Sequence, residues 1–311
     1  MGKESQMQIF AQAVKEGSFS SAARLLNLTP SAVSKQIGAL EDRLGVRLLN
    51  RTTRQLKLTE AGARYFDHSL RILSEIEEAE SEVGGMRDTP RGLLRINAPV
   101  VMGARQIAPL MTEFQTRYPD IKVEMNLSDI RVDLIENGED VALRVGELTD
   151  SSLIARKLCP ISRLVIAAPS YLEKHGQPQT PEALLDHNCT TYNQPLKLNA
   201  WEFNNCPGHK TVTVKGSFVS NNGEAHYYAA LSGLGVTRLA TYLVSDRLQR
   251  GELVPILTEY TPPTGAFLWA VYPPTRYVPP KVRVFIDFLL EKLTPVPPWD
   301  VHYHHGIYVN D

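Results

Sequence analysis

Apolar residues recur at helical spacing in two adjacent segments that follow an amphipathic helix predicted over 7–14. The first segment predicts a short helix that Ser20 or Ser21 can cap. In the second, the apolar residues follow one another at steps of four, three and four: Val33, Ile37, Leu40 and Leu44. Thr29 and Pro30 mark its start, because Thr accepts from a free amide and Pro has no amide to leave unpaired. Gly45 then ends a helix that begins at about residue 30.

The outward face of this second helix carries small or hydrogen-bonding side chains near its N-terminal end: Ser31, Ala32, Ser34, Lys35 and Gln36. Small side chains allow close approach to a DNA groove, Gln reads base edges, and Lys and Ser contact phosphates. A hairpin-like stretch follows, with basic residues at 47, 51, 54 and 57, as in a wing that lies along the DNA backbone or in the minor groove. The segment therefore predicts a DNA-binding unit. Its candidate contacts on the wing are Arg51, Thr52, Thr53 and Arg54.

A long apolar stripe follows the basic hairpin. A helix predicted from Thr59 to about Val83 carries it at steps of four, three, three, three and four: Phe66, Leu70, Leu73, Ile76, Ala79 and Val83. Such a stripe packs against a partner helix, and we interpret this segment as a dimerisation helix. The alternative is a helix packed on the second domain of its own chain. A dimer also suits DNA binding, because two copies on two half-sites combine their affinities and read a pseudo-palindrome.

A βα alternation begins after a linker at 88–92, where Pro90 and Gly92 break regular structure. Strands are predicted at 93–97, 122–127, 140–145, 212–219, 236–239 and 267–272. Helices are predicted at 103–118, 131–137, 223–231 and 280–293. A second run of the pattern starts near Arg163. This alternation is typical of an α/β fold with a mostly parallel sheet and helices on its faces.

Ligands of open α/β sheets bind beyond the carboxyl ends of the strands, where loops lead into helices. The candidate residues in such positions are Pro99, Val100, Val101, Met102 and Gly103 in one loop, Arg144, Val145 and Gly146 at a strand end, and Asn221, Asn222, Gly223 and Thr237 in a third region. Free amides and a helix dipole can hold a carboxylate at the first loop. Asn side chains at the third region both donate and accept. The alternative is that these are ordinary strand-to-helix turns.

Composition and charge narrow the function classes. The chain of 311 residues is 43% hydrophobic, without an apolar run of membrane-spanning length or a leader pattern, so we expect a cytoplasmic protein. The net charge of -1 conceals a division along the chain. Residues 1–59 carry nine basic and four acidic residues, whereas residues 60–88 carry three basic and eight acidic ones. The basic excess lies on the predicted DNA-binding unit, and the acidic excess lies on the helix after it.

Catalytic, cofactor and metal motifs are missing from the sequence, so we expect no enzyme activity, cofactor or metal site. The GLG run at 233–235 lacks the third glycine of a dinucleotide fingerprint. Cys189 and Cys206 are the candidate pair for a redox sensor, an alternative that is weakened because only Lys197 and Lys210 bring positive charge near them in sequence. Three histidines lie in a C-terminal segment that we expect to be a flexible tail: His302, His304 and His305.

The stretch from Phe19 to Gly62, FSSAARLLNLTPSAVSKQIGALEDRLGVRLLNRTTRQLKLTEAG, closely resembles the winged helix-turn-helix of LysR-type transcriptional regulators. Later segments match the effector domain of the same family up to about residue 293. The resemblance implies an α/β protein with an N-terminal winged helix-turn-helix, a long linker helix and a two-subdomain periplasmic-binding-protein-like effector domain. It also implies an antiparallel coiled coil between subunits, a homodimer or larger assembly, a pseudo-palindromic DNA operator, a small-molecule effector and RNA polymerase as a further partner.

The resemblance implies the following domains. Residues 1–58 form the DNA-binding domain, 59–88 the dimerisation helix, 91–293 the effector domain and 294–311 the tail. Subdomain I spans about 91–163 and 267–293, and subdomain II about 164–266, with crossings near Val165 and Phe267. Many family members carry Ser or Thr in the first loop, where this chain has Val100, Val101 and Met102. We therefore expect a more apolar effector, or one held by amides alone.

Two rival functions use the same α/β design. A solute-binding protein would share the second domain but would leave the first 88 residues unexplained. An enzyme on this fold would need a catalytic constellation, and the sequence presents none.

Overall fold

The computed structural model describes residues 3–52, 55–83, 90–130, 134–148, 152–193, 196–205, 210–260, 266–274, 278–304 and 307–308. The chain divides into two compact units, Met1–Thr89 and Pro90–Asp311. No helix within the described ranges is both long enough and apolar enough to cross a membrane.

The first unit is a three-helix core followed by a hairpin and a long helix. Its elements are α1 (Lys3–Glu16), α2 (Phe19–Leu25), α3 (Pro30–Leu44), β1 (Leu49–Thr52), β2 (Gln55–Leu58) and α4 (Glu60–Val83). The strands pair antiparallel, with Leu49 opposite Leu58. The core is built from fully buried apolar side chains on α1, α2 and α3 and directly before β1: Phe10, Ala22, Val33, Ile37, Leu40 and Leu48. The predicted start of α3 at residue 30 is confirmed.

Local capping determines where these helices begin and end. The Thr29 hydroxyl accepts a hydrogen bond from the Ala32 amide at 3.2 Å, and Gly45 ends α3 with a φ of 67°. The prediction that residue 20 or 21 caps α2 is wrong, because Ser18 is the cap and its Oγ accepts from the Ser21 amide at 3.4 Å. Gly17, which follows α1 and has a left-handed backbone conformation, directly precedes this cap. Helix α2 therefore begins immediately after the turn at Gly17.

A buried carboxylate joins α3 to the hairpin. Glu41 is 2% exposed and accepts hydrogen bonds from the Leu48 and Leu49 amides at 2.9 and 3.1 Å. The guanidinium of Arg47 donates to its other oxygen at 2.7 Å. Burial alone would raise the pKa of Glu41, but these bonds outweigh it and hold the pKa below its ordinary value. The hairpin is therefore fixed against α3 by a charged group that the apolar pattern does not reveal.

The second unit contains a five-stranded mixed sheet. Its strands are β3 (Gly92–Ala98), β4 (Ile121–Leu127), β5 (Val141–Gly146), β6 (Ile154–Ile161) and β14 (Ala266–Tyr272), in the spatial order β4-β3-β5-β14-β6. Strand β3 pairs parallel with β4 and β5, whereas β14 pairs antiparallel with β5 and β6. Helix α11 (Pro280–Leu293) contributes buried residues to the core beside this sheet: Val282, Phe285, Phe288 and Leu289. The exposed first half of β6 explains why its apolar pattern is too weak to predict a strand.

A second sheet has three strands, β7 (Arg163–Ala167), β12 (Thr237–Ala240) and β13 (Val254–Ile256), in the order β12-β7-β13. Both neighbours of β7 run antiparallel to it, so the expectation of a mostly parallel sheet is wrong for this sheet. The chain crosses from the first sheet to the second at Ser162.

Short strands pair outside the two sheets: β8 (Thr191–Tyr192) with β11 (Val219–Ser220), β9 (Ala200–Phe203) with β10 (Lys210–Thr213), and β15 (Tyr303–His304) with β16 (Ile307–Tyr308).

The prediction of one continuous strand over 212–219 is wrong. Strand β10 ends at Thr213 and β11 begins at Val219, and the chain between them passes the backbone of Cys189. The Cys189 amide donates to the Lys215 carbonyl at 3.0 Å, and a Cβ on Gly216 would overlap the Cys189 carbonyl. Contacts with a segment distant in sequence therefore interrupt the strand.

The helices of the second unit differ in regularity. The region predicted as one helix over 103–118 changes type around Pro109, which has no amide to donate to the preceding turn. It comprises α5 (Val100–Met102), a π turn (Gly103–Ile107), a 3-10 turn (Ala108–Leu110) and α6 (Met111–Arg117). The remaining helices are α7 (Leu134–Asn137), α8 (Pro169–His175), α9 (Gly223–Leu231) and α10 (Thr241–Gln249), with 3-10 turns at Pro181–Asp186, Leu196–Asn199, Thr258–Tyr260 and Pro298–Asp300. The predicted bounds of α9 and α11 are confirmed, whereas residues 131–133 of another predicted helix lie outside the described residues.

The residues directly after α11 pack against the domain, although they belong to the segment assigned to the tail, 294–311. Trp299 is 5% exposed, and its ring centroid lies 6.0 Å from that of Tyr242. Asp300 is also buried, beside Ser162 and Thr241 at the crossing between the sheets. Burial raises the pKa of Asp300, and the side chains of Thr241 and Ser162 oppose that rise without cancelling it. The C-terminal segment thus contacts the point where the chain passes from one sheet to the other.

Candidate nucleic-acid interface and ligand site

The predicted DNA-reading face of α3 is accessible. Val33 and Ile37 on the opposite face are fully buried, while every candidate contact on α3 stays exposed or half-exposed: Ser31, Ala32, Ser34, Lys35 and Gln36. The side-chain amide of Gln6, on α1, donates to Gln36 Oε1 at 3.5 Å and orients it. A helix with small and polar side chains on its free face can approach base edges closely.

The hairpin carries the remaining DNA-contact candidates. Arg51 and Thr52 lie in β1, whereas Thr53 and Arg54 lie outside the described residues. The first basic residue of the hairpin, Arg47, is bonded to the buried carboxylate of α3, yet its side chain is 66% exposed. Arg47 therefore fixes the hairpin to α3 and also presents a positive charge to solvent. The basic pattern of the sequence indicates the charge but not the bond to α3.

The apolar stripe on α4 divides into two parts. Phe66 packs on Phe10 of its own unit, with ring centroids 6.4 Å apart, so this residue contributes to the internal core. Leu70, Leu73 and Ile76 follow it on α4 and are half-buried. The side chains of the last two stripe positions, Ala79 and Val83, lie outside the described part of the chain.

The loop after β3 is already occupied by a carboxylate of the same chain. Asp129 Oδ1 accepts a hydrogen bond from the Val100 amide at 3.1 Å, so this amide is not free for an effector, contrary to the expectation from sequence. Val101 and Met102 are 8% and 0% exposed, and a Cβ on Gly103 would overlap the Leu127 side chain. The residues after Val100 therefore serve close packing, and Pro99 and Val100 keep the accessible surface of this loop.

The end of β5 is fixed by side chains of neighbouring strands. Arg144 Nη1 donates to Asn97 Oδ1 at 2.6 Å, which holds the guanidinium beside β3. The Trp269 indole donates to the Gly146 carbonyl at 2.9 Å, and Gly146 has a φ of 115° that favours glycine. Val145 between them is half-buried.

The loop before α9 is organised by its own side chains. Asn222 Oδ1 accepts from the Glu224 amide at 2.7 Å and caps α9, while Asn221 is exposed. Gly223 lies beside Tyr192, since a Cβ there would be 3.6 Å from the tyrosine oxygen. Thr237 is 1% exposed and its Oγ1 accepts from a threonine of the neighbouring segment at 2.7 Å, so its side chain presents no surface to a ligand.

Polar contacts join the helical region after β3 to α9 and α10. Arg105 forms an ion pair with Glu224, and its Nη1 donates to the Leu243 carbonyl at 3.2 Å. Its guanidinium lies 4.6 Å over the ring of Tyr227. The neighbouring Gln106 donates to a carbonyl of α10 at 2.7 Å. These contacts join the segment that follows the first candidate loop to α9, which follows the third candidate loop, and to α10.

The redox alternative is not supported by the environment of Cys189. Its thiol is fully buried, its Sγ donates weakly to the Leu184 carbonyl at 3.7 Å, and burial raises its pKa to about 12. A sensor needs an accessible thiolate, and this group is neither accessible nor ionised. Cys206 and His305 lie outside the described residues, and the described ranges hold no cluster of three or more potential metal ligands.

Sequence reasoning missed a group of polar residues between the sheets. Arg163 on β7 and Arg238 on β12 lie near each other, and the charge of Arg163 acts on Tyr192 and Tyr242. Asp129 acts on both tyrosines from the side of the first sheet. These residues are far apart in sequence, so only the pairing of β7 with β12 reveals that they belong together.

The two units together define a class of protein: a DNA-binding transcriptional regulator with a separate α/β effector domain. A model of the bacterial regulatory helix-turn-helix protein, lysR family, matches residues 5–63, and a model of the LysR substrate binding domain matches residues 87–294. The chain belongs to the LysR family of bacterial transcriptional regulators.

Named relatives share this organisation over nearly their whole length. The chain is 42% identical to the HTH-type transcriptional regulator CrgA of Neisseria meningitidis serogroup C over 93% of this chain and 96% of the relative. It is 36% identical to the HTH-type transcriptional activator TtdR of Escherichia coli K12 over 91% of each. A solved structure of CrgA, 40% identical, superposes with a TM-score of 0.62 over 94% of this chain and 100% of that one. The virulence activator AphB of Vibrio cholerae, 31% identical, has a TM-score of 0.58 over 93% and 99%. Both curated relatives are named as regulators and not as enzymes.

Proposed function

We propose that α3 reads the major groove of DNA through Ser31, Ala32, Ser34, Lys35 and Gln36, and that the wing contacts the DNA through Arg51, Thr52, Thr53 and Arg54. The observation that carries this proposal is the accessible face of α3, which holds small and polar side chains while the opposite face is fully buried. The basic excess of residues 1–59 supports it, because phosphate contacts supply most of the affinity for DNA.

Two copies of the chain associate through the stripe on α4 in this proposal. Leu70, Leu73 and Ile76 support it as half-buried apolar residues on one long helix, and Ala79 and Val83 would extend the contact. Phe66 contributes less, because it packs within its own unit. A dimer reads a pseudo-palindromic operator, and pairing of dimers into tetramers would bring further half-sites and RNA polymerase together. A bacterial regulator that binds DNA would act in the cytoplasm.

A small-molecule effector binds between the two sheets, near the loop after β3, the end of β5 and the loop before α9. The bonds of Arg105 and Gln106 support this placement, since they join the segment after the first candidate loop to α9, which follows the third candidate loop, and to α10. An effector that binds one arrangement of these elements more tightly increases the fraction of molecules in that arrangement. In this proposal, the distance between the two DNA-binding units of a dimer changes with the arrangement. The same linkage requires DNA to change effector affinity by the same factor.

DNA binding by the purified full chain tests the proposal. We expect salt-sensitive binding, resistant to competitor DNA, to a fragment from upstream of its own gene, measured by fluorescence anisotropy. Gln36→Ala removes a base-edge contact and costs roughly 1–3 kcal/mol on the specific site only. Lys35→Ala removes a phosphate contact, so it weakens specific and non-specific binding alike and lowers the salt slope by about one.

Lys122→Ala is the matched control, because Lys122 is an exposed lysine on β4 of the other unit. It should leave both affinities unchanged. Equal DNA affinity in the wild type, Gln36→Ala and Lys35→Ala proteins would contradict the assignment of α3 as the reading helix.

A further inference from the structure

Two arginines lie on one face of the three-stranded sheet. In the antiparallel pairing of β7 with β12, Arg163 is opposite Ala240 and Arg238 is opposite Val165. Residues related in this way are diagonal neighbours on the same face, with side-chain origins roughly 7–8 Å apart. Both arginines are half-buried. The register of the sheet therefore places both side chains on the same face, and the charge of Arg163 acts on Arg238.

Neither charge is compensated by a direct partner. Within the part of the chain that the structure describes, the side chains of Arg163 and Arg238 form no hydrogen bond and no ion pair. Burial lowers the pKa of Arg238 to about 10, the charge of Arg163 adds to this effect, and Glu202 opposes it only from an exposed position. Two unpaired, half-buried, like charges destabilise a protein unless an anion joins them.

Two tyrosines lie within the electrostatic reach of Arg163. The hydroxyls of Tyr192 and Tyr242 make no hydrogen bond to any residue in the described ranges, and both rings are half-buried. Burial raises the pKa of Tyr192, and that of Tyr242 to about 12, so both phenols are protonated donors at neutral pH. The one carboxylate acting on both rings, Asp129, already accepts from the Val100 amide. The two tyrosine hydroxyls can therefore donate to a bound ligand.

We propose that Arg163 and Arg238 bind a carboxylate of the effector, which is a small organic acid, with Tyr192 and Tyr242 donating to the same ligand. The proposal rests on the effector site proposed above and specifies its chemistry. Planar guanidinium groups bind carboxylates through paired, charge-assisted hydrogen bonds. It replaces the expectation of an apolar effector or one held by amides, since the Val100 amide is taken and the arginines supply the positive charge.

Ligand-free stability gives the first test. Arg238→Met keeps an extended apolar side chain and removes one of two repelling charges, so we expect a higher thermal midpoint than wild type in buffer without organic acids. Arg163→Met should have the same effect. Arg156→Met, the same change at an exposed strand position, should leave the midpoint unchanged. A lower midpoint in both Arg163→Met and Arg238→Met would overturn the proposal, because it would show that the two charges stabilise the free protein.

Ligand binding gives the second test. Succinate, citrate and benzoate are compared with succinamide, benzamide, inorganic phosphate and sodium chloride at equal ionic strength, by thermal shift and calorimetry on the full chain. We expect at least one acid to stabilise the wild type more than its amide or chloride does, and Arg238→Met to weaken that binding about tenfold or more. Arg238→Lys should recover part of it, since a point charge remains without the planar fork.

Three outcomes would overturn the proposal: no acid acting beyond the chloride control, equal binding by Arg238→Met and the wild type, or binding of phosphate alone. DNA binding by the wild type chain in acid-free buffer reports on the regulator function separately. Loss of acid binding with intact operator binding would therefore reject the organic-acid effector and leave the DNA-binding proposal standing.

Discussion

The surroundings of Glu41 and Asp300 shift the pKa values of two buried carboxylates in opposite directions. Glu41 receives two backbone amides and a guanidinium, so its charged form is favoured in spite of burial. Asp300 has one oxygen without any hydrogen-bond partner among the described residues, and burial dominates. The difference lies in the donors that the fold supplies, which depend on how distant segments pair.

Replacing Glu41 by Gln should destabilise the first unit at neutral pH by about 1–3 kcal/mol, because an amide accepts more weakly than a carboxylate and loses the bond to Arg47. The folded-state pKa of Glu41 is lowered, so its stabilisation is present above the ordinary carboxyl pKa of about 4.3 and is lost as the pH falls through the folded value. Hydrogen exchange of the Leu48 and Leu49 amides at pH 7 and in acid measures both effects.

Asp42→Asn is the control for that change, since Asp42 is the exposed neighbour on the same helix. Its exchange rates should match the wild type. Equal protection of the two amides in Glu41→Gln and wild type at pH 7 would show that the carboxylate does not anchor the hairpin.

Helices whose ends are set by adjacent residues are the elements that sequence predicts best. The bounds of α3, α9 and α11 follow from Thr29, Gly45 and the apolar period, all of which are local signals. The strand prediction over 212–219 is wrong because contacts with the backbone of Cys189 interrupt the strand, and Cys189 is distant in sequence. The DNA-reading face of α3 depends on residues that are close in sequence, so the sequence predicts it. The pair of Arg163 and Arg238 depends on the pairing of β7 with β12, so the sequence does not reveal it.

Gly216→Ala should destabilise the second unit, because the new Cβ overlaps the Cys189 carbonyl and neighbouring backbone and cannot move away without shifting the strand pairing. Overpacking of this kind costs typically about 1–3 kcal/mol. Gly223→Ala is the matched control, since a Cβ there meets only ordinary contacts at 3.5 and 3.6 Å and lies at the start of a helix. Thermal unfolding of both variants measures the difference, and equal midpoints would contradict the close approach.

At the scale of the whole molecule, the second unit is assembled from segments that are distant along the chain. Strand β14 lies between β5 and β6, and α11 and Trp299 complete the core beside them. Sequence pattern predicts α11 and the strand, but it leaves the role of the C-terminal residues unseen, because a single Trp after a Pro-rich turn has no periodicity.

Trp299→Ala should lower the free energy of unfolding of the second unit by about 3–5 kcal/mol, the usual cost of removing a large buried aromatic side chain. Val301→Ala, two positions further on and 50% exposed, should change stability little. Denaturant titration of the full chain compares the two variants. A Trp299→Ala protein as stable as the Val301→Ala protein would show that the C-terminal segment is not part of the core.

The late position of Trp299, α11 and β14 has a consequence for biosynthesis. The DNA-binding unit is a contiguous N-terminal segment whose core needs no later residue, so it can fold while the remainder is still being translated. The core of the five-stranded sheet stays incomplete until residues near 300 have emerged from the ribosome. A nascent chain can therefore carry a folded DNA-binding unit while the core of its effector domain is still incomplete.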